Sequence, residues 1–316
     1  MKAAVVSAGG QAPACENFQE PAALASEHLI EVGAAALSQL TRGRASGIHY
    51  SSAGALPFVA GVDGVGRLAD GRRVYFVLPR APFGAMAERT VVDVARCIPL
   101  PDTLDDATAA AIANPGMSSW AALTERAKLR ACETVLINGA TGASGQLAVK
   151  IARHLGAAKV IATGRNQAAL DRLGADATLA LRGDGEELEH AFKPHFMEGV
   201  DVVLDYLWGP SARAALIAAA KAGRDGVPLR FVQIGSVGGA ELSLPGAVLR
   251  ASAIELIGSG IGSVSLERLV AAIAAVFGAA ATAGLSLPTR ILPLDRIGEA
   301  WAYAGHERVV VTPGHF

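Results

Sequence analysis

The residues best suited to chemistry in this 316-residue chain lie in one stretch, from Thr134 to Gly156. A short apolar run, Val135 to Ile137, enters glycines at 139, 142 and 145. A helical pattern follows, with Leu147, Ile151 and Leu155 on one face, and stops at Gly156. A strand, a glycine turn and a helix in this order can hold a pyrophosphate. Glycine permits the tight turn, lets backbone N–H groups approach phosphate oxygens and lets helix and strand pack closely, while the helix N-terminus supplies positive potential. The usual dinucleotide fingerprint has glycine where Ala140 stands, so this is a G-x-x-G-x-x-G variant. Gly139, Thr141, Gly142, Ala143, Ser144 and Gly145 are the expected contacts.

The next apolar run, Lys159 to Thr163, decides between the two nicotinamide dinucleotides. An acid at its end would bind the ribose 2′-hydroxyl of NAD, but Gly164, Arg165 and Asn166 stand there and no acid occurs before Asp171. A guanidinium at Arg165 can form charge-assisted bonds to a 2′-phosphate. The expected cofactor is therefore NADPH; an arginine in a solvated loop is the plain alternative. Ile234, Gly235 and Ser236 end a further apolar run at the carboxyl edge of the expected sheet, where ligands of doubly wound folds bind.

These residues need a scaffold. From Thr134 onward, helical periodicity alternates with apolar runs at 134–137, 159–163, 200–205, 229–234 and 253–257, which read as buried parallel strands of a doubly wound α/β sheet. Before residue 112 the runs are short and broken by glycine and proline, as in a small β-rich domain. Strand-like segments return at Arg290 to Pro293 and Arg308 to Thr312, after a helix over 265–278. The expected organisation is a β-rich domain of residues 1–112 plus 261–316 with a dinucleotide-binding (Rossmann) domain, 113–260, inserted into it. The uncharged stretch Leu269 to Thr289 is long enough to span a bilayer, but it is mostly Ala and Gly and reads as a buried helix leading into a loop at Pro288.

Composition sets the outer bounds. Hydrophobic residues make up 51% and charged residues 18%, a balance that excludes general disorder. Twenty-eight basic residues against 29 acidic ones leave no basic excess, so no nucleic-acid partner is expected. Cys15, Cys97 and Cys132 are too scattered for a disulfide framework or a thiolate metal site, which fits a reduced, cytoplasmic setting.

Several segments in order, Pro57 to Leu68, Gly71 to Phe76, Phe83 to Glu88, Cys97 to Ile112, Asn114 to Leu123, the glycine turn and Phe231 to Ser236, resemble a zinc-free medium-chain dehydrogenase/reductase of the quinone oxidoreductase type. The resemblance implies a GroES-like β-rich domain, NADPH-dependent reduction of a quinone, enone or related carbonyl compound, and a homodimer. The Gly-His-Glu ligand motif of the zinc-dependent branch falls on Gly61, Val62 and Asp63, and valine cannot coordinate a metal. The triplet Gly305, His306 and Glu307 reads as a surface loop. Where the family places a cleft tyrosine after a Ser-Gly pair, this chain has Ser46, Gly47, Ile48, His49 and Tyr50, so either His49 or Tyr50 is the candidate donor to the substrate oxygen, with Arg42 as a further cleft candidate. Ser118 stands where the family has a threonine near the cofactor. Ala180 and Leu181 replace an Asn-Tyr pair that contacts the adenosine phosphate, with Arg182 as a substitute. Tyr206 and Trp208 either wall the cofactor or pack beneath it. A short-chain reductase is disfavoured, because such enzymes place the glycine turn near the amino terminus and no tyrosine here has a lysine four residues on. A non-catalytic NADPH-binding sensor on the same fold is the alternative function.

Overall fold

The computed structural model describes residues 1–47 and 56–313, and its first hundred residues are mostly short strands. They are β1 (Lys2–Val6), β2 (Ala14–Asn17), β3 (Glu27–Ala36), β4 (Phe58–Val59), β5 (Asp63–Arg67), β6 (Arg73–Val77), β7 (Arg89–Asp93) and β8 (Cys97–Pro99). Helix α1 (Gln39–Ser46) follows β3, and α2 (Asp106–Ala121) follows β8. From Thr134 the pattern changes to strands β9 (Thr134–Asn138), β10 (Lys159–Gly164), β11 (Ala177–Ala180), β12 (Val202–Asp205), β13 (Leu229–Gln233) and β14 (Ile254–Gly258). The helices between and after them are α3 (Ala143–His154), α4 (Gln167–Asp171), α5 (Gly185–Glu198), α6 (Gly209–Ala222), α7 (Gly246–Arg250) and α8 (Leu266–Ala279). The chain ends with β15 (Thr289–Pro293), α9 (Ile297–Ala302) and β16 (Arg308–Thr312).

Two compact units result. One holds Met1–Asn114, Ile273–Ala280 and Ser286–Phe316; the other holds Pro115–Ala272 and Ala281–Leu285. Helix α8 is divided because Leu269 and Ala272 pack with Trp120 and Met117, whereas Phe277 sits edge-on to Tyr75, with ring centroids 5.3 Å apart.

In the first unit β1 is flanked by β2 and β4, and a second sheet runs β15-β16-β3-β5-β6-β8 with β7 also pairing β3. The late strands join this sheet through an antiparallel ladder that sets Val310 opposite Ala36 and Val311 opposite Ala35. Ile30, Val32, Phe76, Met86, Val92 and Val311 form its buried core.

The second unit is one parallel sheet in the order β11-β10-β9-β12-β13-β14. The chain builds outward from β9 through β10 to β11, then returns to the other side of β9 with β12. That reversal opens a crevice at the carboxyl ends of β9 and β12, the position at which open α/β sheets bind ligands. Val135, Leu136 and Ile137 are fully buried, because helices cover both faces of a parallel sheet and a central strand needs apolar side chains on each. The edge strand β11 was not expected from the sequence: its four residues are all half-buried and carry no continuous apolar run. Among the described residues no helix is long and apolar enough to cross a membrane.

Candidate functional site

The glycine turn joins β9 to α3, and each of its three glycines answers to a different constraint. Gly139 has φ 95, a left-handed conformation that favours glycine. Gly145 has no room: a Cβ there would lie 2.4 Å from the Gly139 carbonyl oxygen and 2.5 Å from the Ala140 Cα. Gly142 differs from both. It is exposed, takes φ −75 and ψ 165 at the N-cap of α3 with no side-chain cap, and a Cβ on it would meet nothing closer than the Gly139 carbonyl oxygen at 3.7 Å. Nothing in the protein demands glycine at 142. The open space beside an uncapped helix N-terminus is what a phosphate group requires, since the first N–H groups of a helix have no intrahelical partner. The residues present therefore fit a dinucleotide pyrophosphate.

A buried polar cluster at the ends of β9, β10 and β12 fixes this turn. Asn138 donates through Nδ2 to Asp205 Oδ1 at 2.8 Å and to Ser211 Oγ at 2.9 Å, and Thr163 Oγ1 donates to Asn138 Oδ1 at 2.8 Å. The N–H of Gly139 donates to Thr163 Oγ1 at 3.3 Å, and that of Ala140 to the Thr163 carbonyl at 2.7 Å. Asp205 also accepts from the N–H groups of Leu207 and Trp208, which matters because Trp208 holds φ 57, an unfavourable conformation for a bulky residue. Burial pushes the Asp205 carboxyl up to about 6, while the Asn138 amide and the two backbone N–H groups pull it down. Sequence reasoning missed Asn138, Thr163 and Asp205. Their signal is a single polar residue closing the apolar run of each of three neighbouring strands.

Around this cradle, Gly164 gives Thr141 its place: a Cβ on it would lie 2.9 Å from Thr141 Cγ2. Arg165 follows and is exposed. Asn166 caps α4, its Oδ1 accepting from the N–H of Ala169 at 3.1 Å, so its side-chain oxygen has a structural task. Ser118 Oγ donates to the Pro115 carbonyl at 2.9 Å and lies 3.4 Å from Ser144 Oγ, which puts it at the first turn of α3. Ile234 and Gly235 donate their N–H groups to the Asp205 carbonyl at 2.8 and 3.2 Å, and Ser236 beyond them is exposed. Tyr206 is buried, its hydroxyl 2.8 Å from Ser119 Oγ, and Trp208 packs on the core with Phe231 and Leu216; both side chains therefore pack beneath the crevice. Arg182 is exposed.

The first unit has a cleft of its own, of about 630 Å³. Its walls are the last turn of α1, the segment from Leu56 to Val62, and Pro79 with Ala81 to Phe83. Ser38 caps α1 by accepting from the N–H of Thr41, and Gly47 ends it with φ 76. Val62, an apolar side chain, also lines the cleft. Arg42 does not line it: its Nη1 donates to the Trp301 carbonyl at 2.6 Å and its guanidinium lies over the Trp301 ring. Arg44, two residues on, does. Below Val62 the buried Asp63 accepts from the Tyr75 hydroxyl, and burial pushes its carboxyl up to about 6 against the opposing pull of Tyr75 and Arg308. His306 and Glu307 are exposed. His49 and Tyr50 lie outside the described residues.

Residues 143–277 match the zinc-binding dehydrogenase family, a range that begins at the first residue of α3 and does not include Gly61, Val62 or Asp63. Over 327 aligned residues the chain is 29% identical to the probable NADPH-dependent quinone reductase tdiC of Emericella nidulans, covering 90% of this chain and 91% of that one. Among solved structures it is similar to a mycobacterial quinone oxidoreductase, with a TM-score of 0.84 at 20% identity over 99% of this chain and 100% of the other. It is also similar to the quinone oxidoreductase of Thermus thermophilus, solved with NADPH as well, with a TM-score of 0.78 at 25% identity over 99% and 100% of the two chains.

Proposed function

We infer that this chain is a medium-chain dehydrogenase/reductase of the quinone oxidoreductase type, an NADPH-dependent oxidoreductase that reduces a quinone, enone or related carbonyl compound. The observation that carries the reading is Gly142, which has space for a side chain and lacks one beside the uncapped N-terminus of α3. When bound, NADPH supplies a hydride, and conversion of one quinone to its hydroquinone consumes one NADPH and one proton. The N–H groups of Ala143, Ser144 and Gly145 would hold the pyrophosphate, with Thr141, Ser118 and the turn after Ile234 beside it. Arg165 takes the 2′-phosphate, because no acid competes for that place. The cluster of Asn138, Thr163 and Asp205 keeps both turns in register, so little reorganisation is needed on binding.

The cleft of the first unit receives the acceptor. Negative charge develops on the acceptor oxygen as hydride arrives, and a positioned donor there lowers the barrier; His49 or Tyr50 fills that role in this reading. Zinc is not required, since Val62 offers no ligand. The edge strand β14, with Leu256 exposed, pairs with its two-fold mate in a homodimer, because an apolar strand edge left open is an aggregation hazard. Three free cysteines suit the cytoplasm.

The test is NADPH oxidation followed with a panel of quinones, enones and aldehydes, against NADH as comparison. Turnover with at least one acceptor and a clear preference for NADPH is expected. NADPH that binds yet is never consumed with any of them would instead favour the sensor.

A further inference from the structure

Arg44 is the one charged side chain among the described residues that line the cleft of the first unit. It is partly buried, burial lowers its pKa, and among the described residues no side chain pairs with its guanidinium. The undescribed segment 48–55 reads Ile, His, Tyr, Ser, Ser, Ala, Gly, Ala and contains no acid, so it cannot supply a carboxylate either. Three other partly buried arginines are matched, whereas Arg308 keeps a buried Nε without a hydrogen-bond partner and has the carboxylate of Asp63 nearby. Arg73 pairs with Asp106, Arg230 with Glu133 at 2.7 Å, and Arg42 on the same helix with the Trp301 carbonyl at 2.6 Å. The carbonyl end of α1 offsets part of the cost of holding Arg44 in place, but a cation withdrawn from water keeps a strong demand for an anion. Among the described residues the rest of the wall is apolar or backbone apart from Thr41, whose hydroxyl is engaged with Ser38 Oγ at 2.9 Å. The cleft, of about 630 Å³, is ample for a bicyclic ring with a short substituent.

We propose that Arg44 is a specificity-determining residue, and that the preferred acceptor carries an acidic group, a carboxylate or a comparably ionised substituent, on or close to the ring that is reduced. The planar guanidinium can bind a carboxylate in two parallel hydrogen bonds, which would fix the orientation of the ring as well as raise affinity. The proposal rests on the reading that this cleft takes the acceptor.

The experiment uses one ring in two forms, a 2-methyl-1,4-naphthoquinone with a propanoate side chain at carbon 3 and the methyl ester of the same compound, so that ring electronics stay matched. Kinetic constants are measured for the wild type, Arg44→Met and Arg44→Lys with NADPH saturating, and Arg44→Gln replaces Arg44→Met should the latter not fold. The wild type is expected to favour the acid over the ester by about tenfold or more in kcat/KM, chiefly through KM. The ratio should fall toward one in Arg44→Met, recover in part in Arg44→Lys, and shrink with added salt. An acid-to-ester ratio that is the same in wild type and Arg44→Met overturns the proposal. Calorimetric binding of the two compounds separates this from the reading beneath it. If neither compound is reduced, yet the acid binds more tightly than the ester and loses that advantage in Arg44→Met, the anion site stands and the assigned reaction falls; equal binding in both proteins sinks the site.

Discussion

Replacing Gly142 by alanine should separate ligand binding from folding. The backbone at 142, φ −75 and ψ 165, is one that alanine adopts freely, and the nearest atom to the new Cβ is 3.7 Å away. Lower entropy of the unfolded chain favours alanine by about 0.4–1 kcal/mol. The poorer N-cap preference of alanine removes about 0.5–1 kcal/mol. The two nearly cancel, so thermal unfolding should move by no more than about 2–4 °C. Gly145→Ala must instead push a Cβ against backbone atoms 2.4 and 2.5 Å away, at a cost of about 1–3 kcal/mol or more. For NADPH the order reverses. If the pyrophosphate binds as proposed, a methyl group at 142 would stand between the phosphates and the first N–H groups of α3, and each charge-assisted hydrogen bond lost leaves about 1.5–3 kcal/mol unmade, which is about one to two decades in Kd. Differential scanning calorimetry and a fluorescence titration with NADPH read both effects. A Gly142→Ala protein that binds NADPH like the wild type would refute the reasoning, as would one that unfolds as early as Gly145→Ala.

Arg165→Ala should raise the Kd for NADPH by about one to two decades and leave NADH nearly unchanged; equal losses for the two would make Arg165 a structural residue. Burial raises Asp63 and Asp205 to about 6, against about 3.9 unfolded, so between these values the folded chain binds more protons than the unfolded one. Stability should therefore grow as pH falls from 7 toward 5, by about 1 kcal/mol in all for each group and mostly below pH 6. Further acidification should reverse this as Glu27 and Asp105, both held below the ordinary carboxylate range, take up protons. A melting temperature that falls steadily from pH 7 to 5, or a rise that Asp205→Asn leaves untouched, would count against the burial account. Leu256→Lys on the exposed edge of β14 should give a monomer by light scattering; an unchanged dimer would place the interface elsewhere.

The parallel-sheet unit was legible because parallel strands covered on both faces must be continuous apolar runs, and because a glycine turn has few sequence solutions. The polar cluster behind it was not. Asn138, Thr163 and Asp205 are 25 to 67 residues apart, and only strand order shows that they meet. In the first unit the strands are short and their partners distant, as β3 with β16, so pairing left little trace in local pattern. Arg42 and Arg44 show the limit at a single helix. Residues two apart point about 200° from one another around the axis, and a shift of two positions exchanges a residue pinned to Trp301 for one that faces the cleft.

Hydride transfer from NADPH to a quinone without a metal can be followed in a single turnover of chelator-treated protein whose zinc content has been measured. Protein loaded with one equivalent of NADPH is mixed anaerobically with an excess of 1,4-naphthoquinone, and the loss of reduced nicotinamide absorbance is compared with the hydroquinone formed. One hydroquinone for each NADPH oxidised, at a rate unaffected by chelation, is the expected result. NADPH that stays reduced in well-folded, NADPH-bound protein, or activity that disappears with removal of stoichiometric zinc, would contradict it.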